Sequence, residues 1–500
     1  MTGFDHQSIL QRVFAKSGLT ASEQTQLVAT HRYYHQIDHS NGRPAIGDGD
    51  GEKAAPDMDI SEIGPDGLCI TQSGHYRLTA DIKWAAGPLA WAAICVLADN
   101  VIIDLNGHSI SVEPVALDSE IATILVGDGL TSYKNITLRN GVLLNAGFRA
   151  IWAQKISNIT VDNVLISGIT FNNINKRNCF AAGIYIDECA EAAITSCTVQ
   201  YGYVTSDVAG GIVFMHTLGG QVTDCTITNF TNYDGSMQGI AGYASLDLSW
   251  TGCTVENLQS FFNGNLRTGG HTVIGYMPTI CAGIRVTDCV ARNMIGSRDD
   301  CHGMSIFVCA DAQSSGFVAD NVVDGPPPYN LGAKATGLEI YGWNIALVDC
   351  AVSNIFAHCP QDRQSAGFSV WGNDISVERC NANNVQVYNA AGEPDTSHGY
   401  GVGFGWAPDP RPEFRAVPAE NVRYSACAAE NCQVGFDSWC HIGSTWDDIA
   451  TPGCDIKLLV QTDPPAKRIL FADPISECNP PVTVTLTNLA RDNVVKDMLL

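Results

Sequence analysis

The sequence predicts an all-β fold: one parallel β-helix, preceded by a short helical segment. Three observations predict it. Short strand-like runs recur along most of the 500 residues, Asn and Cys return in columns when those runs are aligned, and a second, glycine-led strand precedes many of them.

The recurring runs begin at DNVIIDLNGHSISV, Asp99 to Val112. They continue with NITLRNGVLL from Asn135, NITVDNVLIS from Asn158, AITSCTVQ from Ala193 and QVTDCTITN from Gln221. LSWTGCTVEN, IRVTDCVARN, FVADNVVDG, ALVDCAVSN, SVERCNANN and VRYSACAAEN extend the series. Alignment puts Asn106, Asn140, Asn163, Cys197, Cys225, Cys253, Cys289, Asn321, Cys350, Cys380 and Cys427 in one column. Asn229, Asn257, Asn293, Asn354, Asn384 and Asn431 form a second, four places on. Up to Cys380 the steps are roughly 23 to 36 residues, a range that marks a solenoid.

The columns have physical reasons. Asn tolerates the left-handed backbone of a tight turn and hydrogen-bonds main-chain groups nearby, so a stack of Asn pins each bend. Cys is a compact hydrophobe suited to an inward position. Thiols on neighbouring parallel strands point the same way, so mostly free cysteines and a reducing compartment are expected from the 19 present. Asp104, Asn106 and His108 are read as turn chemistry, because no closed set of metal ligands accompanies them.

The glycine-led strands are GIYID at Gly183, GIVFM at Gly211, GIAGY at Gly239, GMSIF at Gly303, GLEIY at Gly337, GFSVW at Gly367, GVGFG at Gly401 and GFDSW at Gly435. Each has period-2 alternation, so every coil supplies at least two strands, which pair with their counterparts in the next coil. The residues one and three places after the glycine face in; those two and four places after it face out. The outward positions hold Tyr185, Ser305, Glu339, Ser369 and Asp437 beside Asp187, Phe307, Tyr341, Trp371 and Trp439. A stripe of aromatics and carboxylates suits stacking on sugar rings. Cover by a C-terminal arm or a second subunit is the competing explanation.

TQSGHYRLTADI followed by DNVIIDLNGHSI resembles the entry coils of bacterial right-handed β-helix repeat proteins, in the superfamily named after pectate and pectin lyases. The resemblance covers about residues 60 to 455. It implies a single right-handed parallel β-helix, placed here at 59–455. The superfamily includes polysaccharide lyases, hydrolases, epimerases, esterases, tailspikes and adhesins, so the fold does not select the chemistry. Residues 1–40 are expected to be helical, with Thr20 and Glu23 at capping-box spacing; 41–58 form a polar linker and 456–500 the last strands and a cap. His31, His35 and His39 on that helix suit a solvated or subunit-facing stripe. The linker's GDGDGE resembles half a calcium loop but lacks the full spacing to a terminal Glu, so calcium is unsupported and neither metal nor cofactor is expected.

A formal charge of −24 excludes nucleic acid and anionic membranes as partners, since both need a basic surface. No apolar run of membrane-spanning length occurs, and the N-terminus lacks a secretory core, which predicts a cytoplasmic protein. A carbohydrate or small-molecule substrate and a homotrimer or other homo-oligomer are the expected partners.

Chemistry is expected where long loops enter the glycine-led strands. These loops gather His271, Arg298, Asp299, Asp300, His302, Lys334, Asp362, Arg363, Glu393, Asp395 and His398. RDDCHGMSIF, Arg298 to Phe307, sets two carboxylates and a His at a strand start, a pattern suited to general acid and base. It is similar to polygalacturonases, which carry an Asp-Asp pair and a Gly-His-Gly on successive coils. This chain departs from them: both elements fall in one loop, no Asn-Thr-Asp occurs, and GLEIY stands where Arg-Ile-Lys would be expected. The candidate catalytic residues are Asp299, Asp300, His302, Glu339 and Arg363. Tyr341, Trp371, Trp439, Arg298, Lys334, His398 and Asp437 are the candidate substrate-binding set. The leading expectation is a carbohydrate-active enzyme, a glycoside hydrolase or a lyase or epimerase. A non-catalytic glycan-binding or tailspike-like protein and an intracellular cyclase or isomerase of a small metabolite are the alternatives.

Overall fold

A computed structural model describes residues 57–113, 120–172, 180–233, 235–261, 271–297, 300–326, 334–358, 365–389, 391–395, 400–405, 419–437, 441–442, 444–459, 469–471 and 494–495. The expected N-terminal helix and nearly all of the linker lie outside these residues. Among the described residues every regular element is a strand, and the ladders between coils are parallel, as a β-solenoid requires. The chain divides into two compact units, with the boundary between Gly270 and His271.

In the first unit, strands in equivalent positions pair coil to coil. Phe180–Asp187 pairs with Val208–Met215, and that strand with Ser236–Tyr243. Thr198–Thr205, Thr226–Tyr233 and Thr254–Phe261 form another file. Ile184, Ile212 and Ile240 queue inside, as do Val199, Ile227 and Val255. The second unit repeats the scheme through Val273–Thr279, Asp300–Ser315, Lys334–Val348, Ser365–Glu378, Gly401–Gly405 and Val434–Asp437. Phe368, Phe404 and Phe436 stack along its interior at 4.6 and 4.9 Å between ring centroids.

The glycines lie within these strands, at places where no Cβ fits. A Cβ on Gly337 would sit 2.6 Å from the Val352 side chain and 2.7 Å from the Gly367 carbonyl oxygen. The registers move one of the expected motifs: Gly403, not Gly401, lies in file with Gly367.

The turn columns are real, but they are offset from the alignment made by residue type. Asn163 pairs with Ser196, not with Cys197. Asn140, Asn163, Ser196, Asp224, Asp288 and Asp349 all carry the left-handed φ of about 50 to 60°, and after Ser196, Asp224, Asp288 and Asp349 a cysteine follows one place later. That cysteine turns inward, and its thiol donates to the carbonyl two residues back, as from Cys225 to Thr223 at 3.3 Å and from Cys289 to Thr287 at 3.4 Å. Asn321 belongs to the second column, opposite Asn293, whose Oδ1 accepts from its Nδ2 at 2.9 Å. Phe317 holds the inward place next to the left-handed turn residue Gly316. The turn thus uses two adjacent positions with different demands, and matching Asn to Cys merges them.

Asp104 and Asn106 are turn residues as well. Asn106 has a φ of 52°, donates its backbone N–H to Asp104 at 2.9 Å and its amide to the Leu78 carbonyl at 3.1 Å. Arg139 from the next coil pairs with Asp104 at 2.9 Å.

Candidate functional site

The site forms in the second unit because strand register brings residues some thirty positions apart side by side. Asp300 stands opposite Lys334, His302 opposite Thr336, and Ser305 opposite Glu339. Four residues expected from sequence meet here: Asp300, His302, Lys334 and Glu339. The Lys334 ammonium donates to Glu339 Oε1 at 2.6 Å, and the Ser305 hydroxyl donates to Oε2 at 2.7 Å. His302 Nε2 lies 3.8 Å from Glu339 Oε2 and 3.9 Å from Asp300 Oδ2, between the two carboxylates. Both gaps exceed a direct hydrogen bond, an interval that a bound group or small shift can close.

Lys334, Glu339, His302 and Ser305 are buried, whereas the Asp300 side chain is 22% exposed. Burial alone pushes the Glu339 carboxyl upward, since it disfavours the charged form. The Lys334 ammonium, the His302 ring and the hydrogen bonds from Lys334 and Ser305 overcome that and hold it well below the usual carboxylate range. Glu339 is therefore a fixed anion near neutral pH. Asp300, at the rim, is placed to exchange protons with solvent or a ligand.

Asp324 completes the frame and was missed from sequence. Its buried Oδ2 accepts the Lys334 backbone N–H at 3.0 Å and so fixes the start of the strand that carries Lys334 and Glu339. The available signal was a carboxylate ending an alternating run, FVADNVVDG, just before a proline-rich loop. Val308 is an inserted residue where the register shifts between Phe307 and Cys309, and its φ is 55°. A β-branched residue in that conformation is strained, and such a bulge re-aims the side chains beside it.

The aromatic stripe is present but is not the open platform expected. Phe307, Tyr341 and Trp371 occupy one file. Tyr341 lies flat on Trp371, with centroids 4.1 Å apart and planes at 13°, and Phe307 meets both rings edge-on. Trp371 is 0% and Tyr341 5% exposed. Coil spacing of about 4.8 Å is close to stacking distance, so rings in file spend their faces on each other.

Asp437 is buried and shares the outward file of Glu339, but the intervening Ser369 and Gly405 place it three coils away, about 14 Å at ~4.8 Å per coil. It does not join the cluster. Asp299, Arg298, Arg363, His398 and Trp439 lie outside the described residues. Among the described residues no group of three or more His, Cys, Asp or Glu side chains is placed to hold a metal ion.

No protein-family model and no curated protein matches the chain. Solved structures do. The A-module of mannuronan C-5 epimerase AlgE4 from Azotobacter vinelandii is 11% identical over 85% of this chain and 91% of that one, with a TM-score of 0.38. A tailspike of E. coli bacteriophage HK620, solved with a pentasaccharide, is 13% identical over 85% and 72%, with a TM-score of 0.42. The catalytic unit of a thermostable α-1,3-glucanase from Streptomyces thermodiastaticus is 11% identical over 87% and 69%, with a TM-score of 0.36. These distant likenesses include carbohydrate-active proteins; the residues of the site have to carry the chemistry.

Proposed function

We propose that this protein is a carbohydrate-active enzyme that cleaves or rearranges glycosidic bonds at the Asp300–Glu339 cluster. The observation that supports it is the meeting, from two consecutive coils, of a rim carboxylate, a buried carboxylate held ionised, and an imidazole between them. In this reading Asp300 gives or takes the proton at the glycosidic oxygen or an attacking hydroxyl. Glu339 is the fixed negative charge facing positive charge that builds on the sugar ring in an oxocarbenium-like transition state. Lys334 and Ser305 hold Glu339 in place. His302 stands between the two carboxylates, 3.8 and 3.9 Å from them. The aromatic file behind them is a rigid wall, and the sugar docks from the Asp300 side.

A second reading is a non-catalytic glycan-binding protein. It is favoured by the Lys334–Glu339 pair, whose closeness and burial also suit a purely structural bond. A panel of neutral and uronic-acid oligosaccharides, followed by mass spectrometry and proton NMR, separates the two. Hydrolysis or elimination changes product mass, and epimerisation changes the anomeric spectrum at constant mass. Binding without either change contradicts the enzymatic reading.

A further inference from the structure

The first unit carries one pair of thiols unlike the rest. Cys69 and Cys95 stand opposite each other on adjacent parallel strands, Leu68–Ile70 and Ala92–Val96. Their neighbours Ile70, Ile94 and Val96 are buried in the core, so both thiols project from the other side of the ladder. Cys69 is exposed and Cys95 half-buried, while every other described cysteine is buried. The file continues into apolar cover, with Leu125 and then Trp152 following Cys95.

Exposure, more than acidity, singles out this pair. A hydrogen bond from Cys95 outweighs burial and lowers the Cys69 thiol to about 7, so much of it is thiolate at neutral pH. Cys350 is lowered to a similar value by Cys380, but it is sealed in the core where no oxidant reaches it. Burial pushes the Cys189, Cys301 and Cys309 thiols up and leaves them inert. In-register neighbours on parallel strands sit roughly 4.8 Å apart, inside the span of about 4.4 to 6.8 Å between Cα atoms that a disulfide bridges. The parallel side chains that keep packed core thiols apart must here lean together by a few tenths of an ångström to reach a Cβ separation of about 4.5 Å, a shift open to a pair on the outer side of the ladder.

We propose that Cys69 and Cys95 form an oxidisable surface dithiol, with Cys69 the peroxide-reactive thiol and Cys95 the partner that closes a reversible bond between coils. The Cys69 thiolate attacks a hydroperoxide, forming an S–O bond and breaking O–O; the leaving oxygen takes a proton and departs as water or alcohol. Cys95 then loses its proton and attacks the sulfenic sulfur, forming S–S and expelling hydroxide, which leaves as water. Two thiols lose two electrons, and the peroxide gains them.

The test uses the full reduced chain, hydrogen peroxide, rapid alkylation and peptide mass spectrometry. The expected result is loss of two hydrogens, a cross-linked peptide joining Cys69 to Cys95, and a rate that climbs with pH and levels off above about 7. In Cys95→Ser, dimedone should trap a sulfenic acid at Cys69; in Cys69→Ser, rapid peroxide consumption should vanish. The proposal is overturned if both thiols remain alkylatable while other cysteines oxidise, or if the rate keeps rising to the pH of an ordinary thiol. The pH profile is read on the wild-type chain, so it stands even if a variant folds poorly.

Discussion

The outward file that follows the glycine corner has opposite characters in the two units. In the first it runs Cys95, Leu125, Trp152, Tyr185, Val213 and Ala241. In the second it runs Ser305, Glu339, Ser369, Gly405 and Asp437. Each unit also buries a cationic side chain at this corner. Arg149, opposite Ala182 and one place before the corner glycine, is 0% exposed, with its guanidinium 3.6 Å from the Tyr185 ring centroid, 4.2 Å from Trp152 and 4.4 Å from Phe148. Lys334 is instead hydrogen-bonded to an opposite charge. A buried cation near the corner thus lies against aromatic faces in one unit, one place before the glycine, and keeps a carboxylate ionised in the other, three places before it.

The largest stability effect should come from breaking that ion pair. Lys334→Met strands Glu339 in a buried place and should cost about 3 to 5 kcal/mol in urea denaturation, whereas the double change Lys334→Met with Glu339→Leu should recover most of it. The sign of the pH dependence should also reverse. With its carboxyl held low, wild-type Glu339 contributes stability that is complete above the ordinary Glu value of about 4.3 and is lost as pH falls below it. Without Lys334, burial dominates and raises the carboxyl, so the variant should gain stability as pH falls from neutral toward about 4.3 and stay level below it. A double variant as unstable as the single one would mean that Lys334 acts through something other than Glu339.

Next in size are the corner glycines, which the units share. Gly183→Ala and Gly337→Ala should each cost about 3 kcal/mol, because the added Cβ falls 2.7 Å from the next coil's carbonyl oxygen in both. Unequal costs would show that the corners differ in more than their side chains. The smallest effect is expected at Arg149. Arg149→Met loses ring contacts worth about 2 kcal/mol but also relieves the burial of a charge, so a net change within about 2 kcal/mol is expected. A loss matching that of Lys334→Met would erase the contrast between the walls.

Much of this was legible in the sequence because solenoid coils repeat their steric demands. The tight corner selects Gly, the left-handed turn selects Asn, Asp or Ser, and the inward place beside it selects Cys. Those demands act on single positions, which is also why Asn140 and Cys197 could be mistaken for equivalents. Period-2 alternation told which side Tyr341 and Trp371 face but not what lies over them, and their mutual stacking follows from coil spacing, which no local pattern displays. Lys334 and Glu339 were named for separate reasons, as a loop cation and an outward carboxylate. Their contact depends on a strand start fixed by Asp324, a residue that its place in FVADNVVDG did not single out. Arg149 stood in plain view as a lone charge within GFRAIW, and the rings around it come from neighbouring positions and the next coil.

The central claim is that the Asp300 rim of the second unit's wall does chemistry that the fold does not require. It is tested most directly by Asp300→Asn, with turnover of a glycan from the panel and thermal melting measured on one preparation. Turnover should fall at least a hundredfold, the scale of a lost general acid or base, while the melting temperature stays that of the wild type. Full turnover in the variant, or a loss that only tracks a lowered melting temperature, would contradict the account.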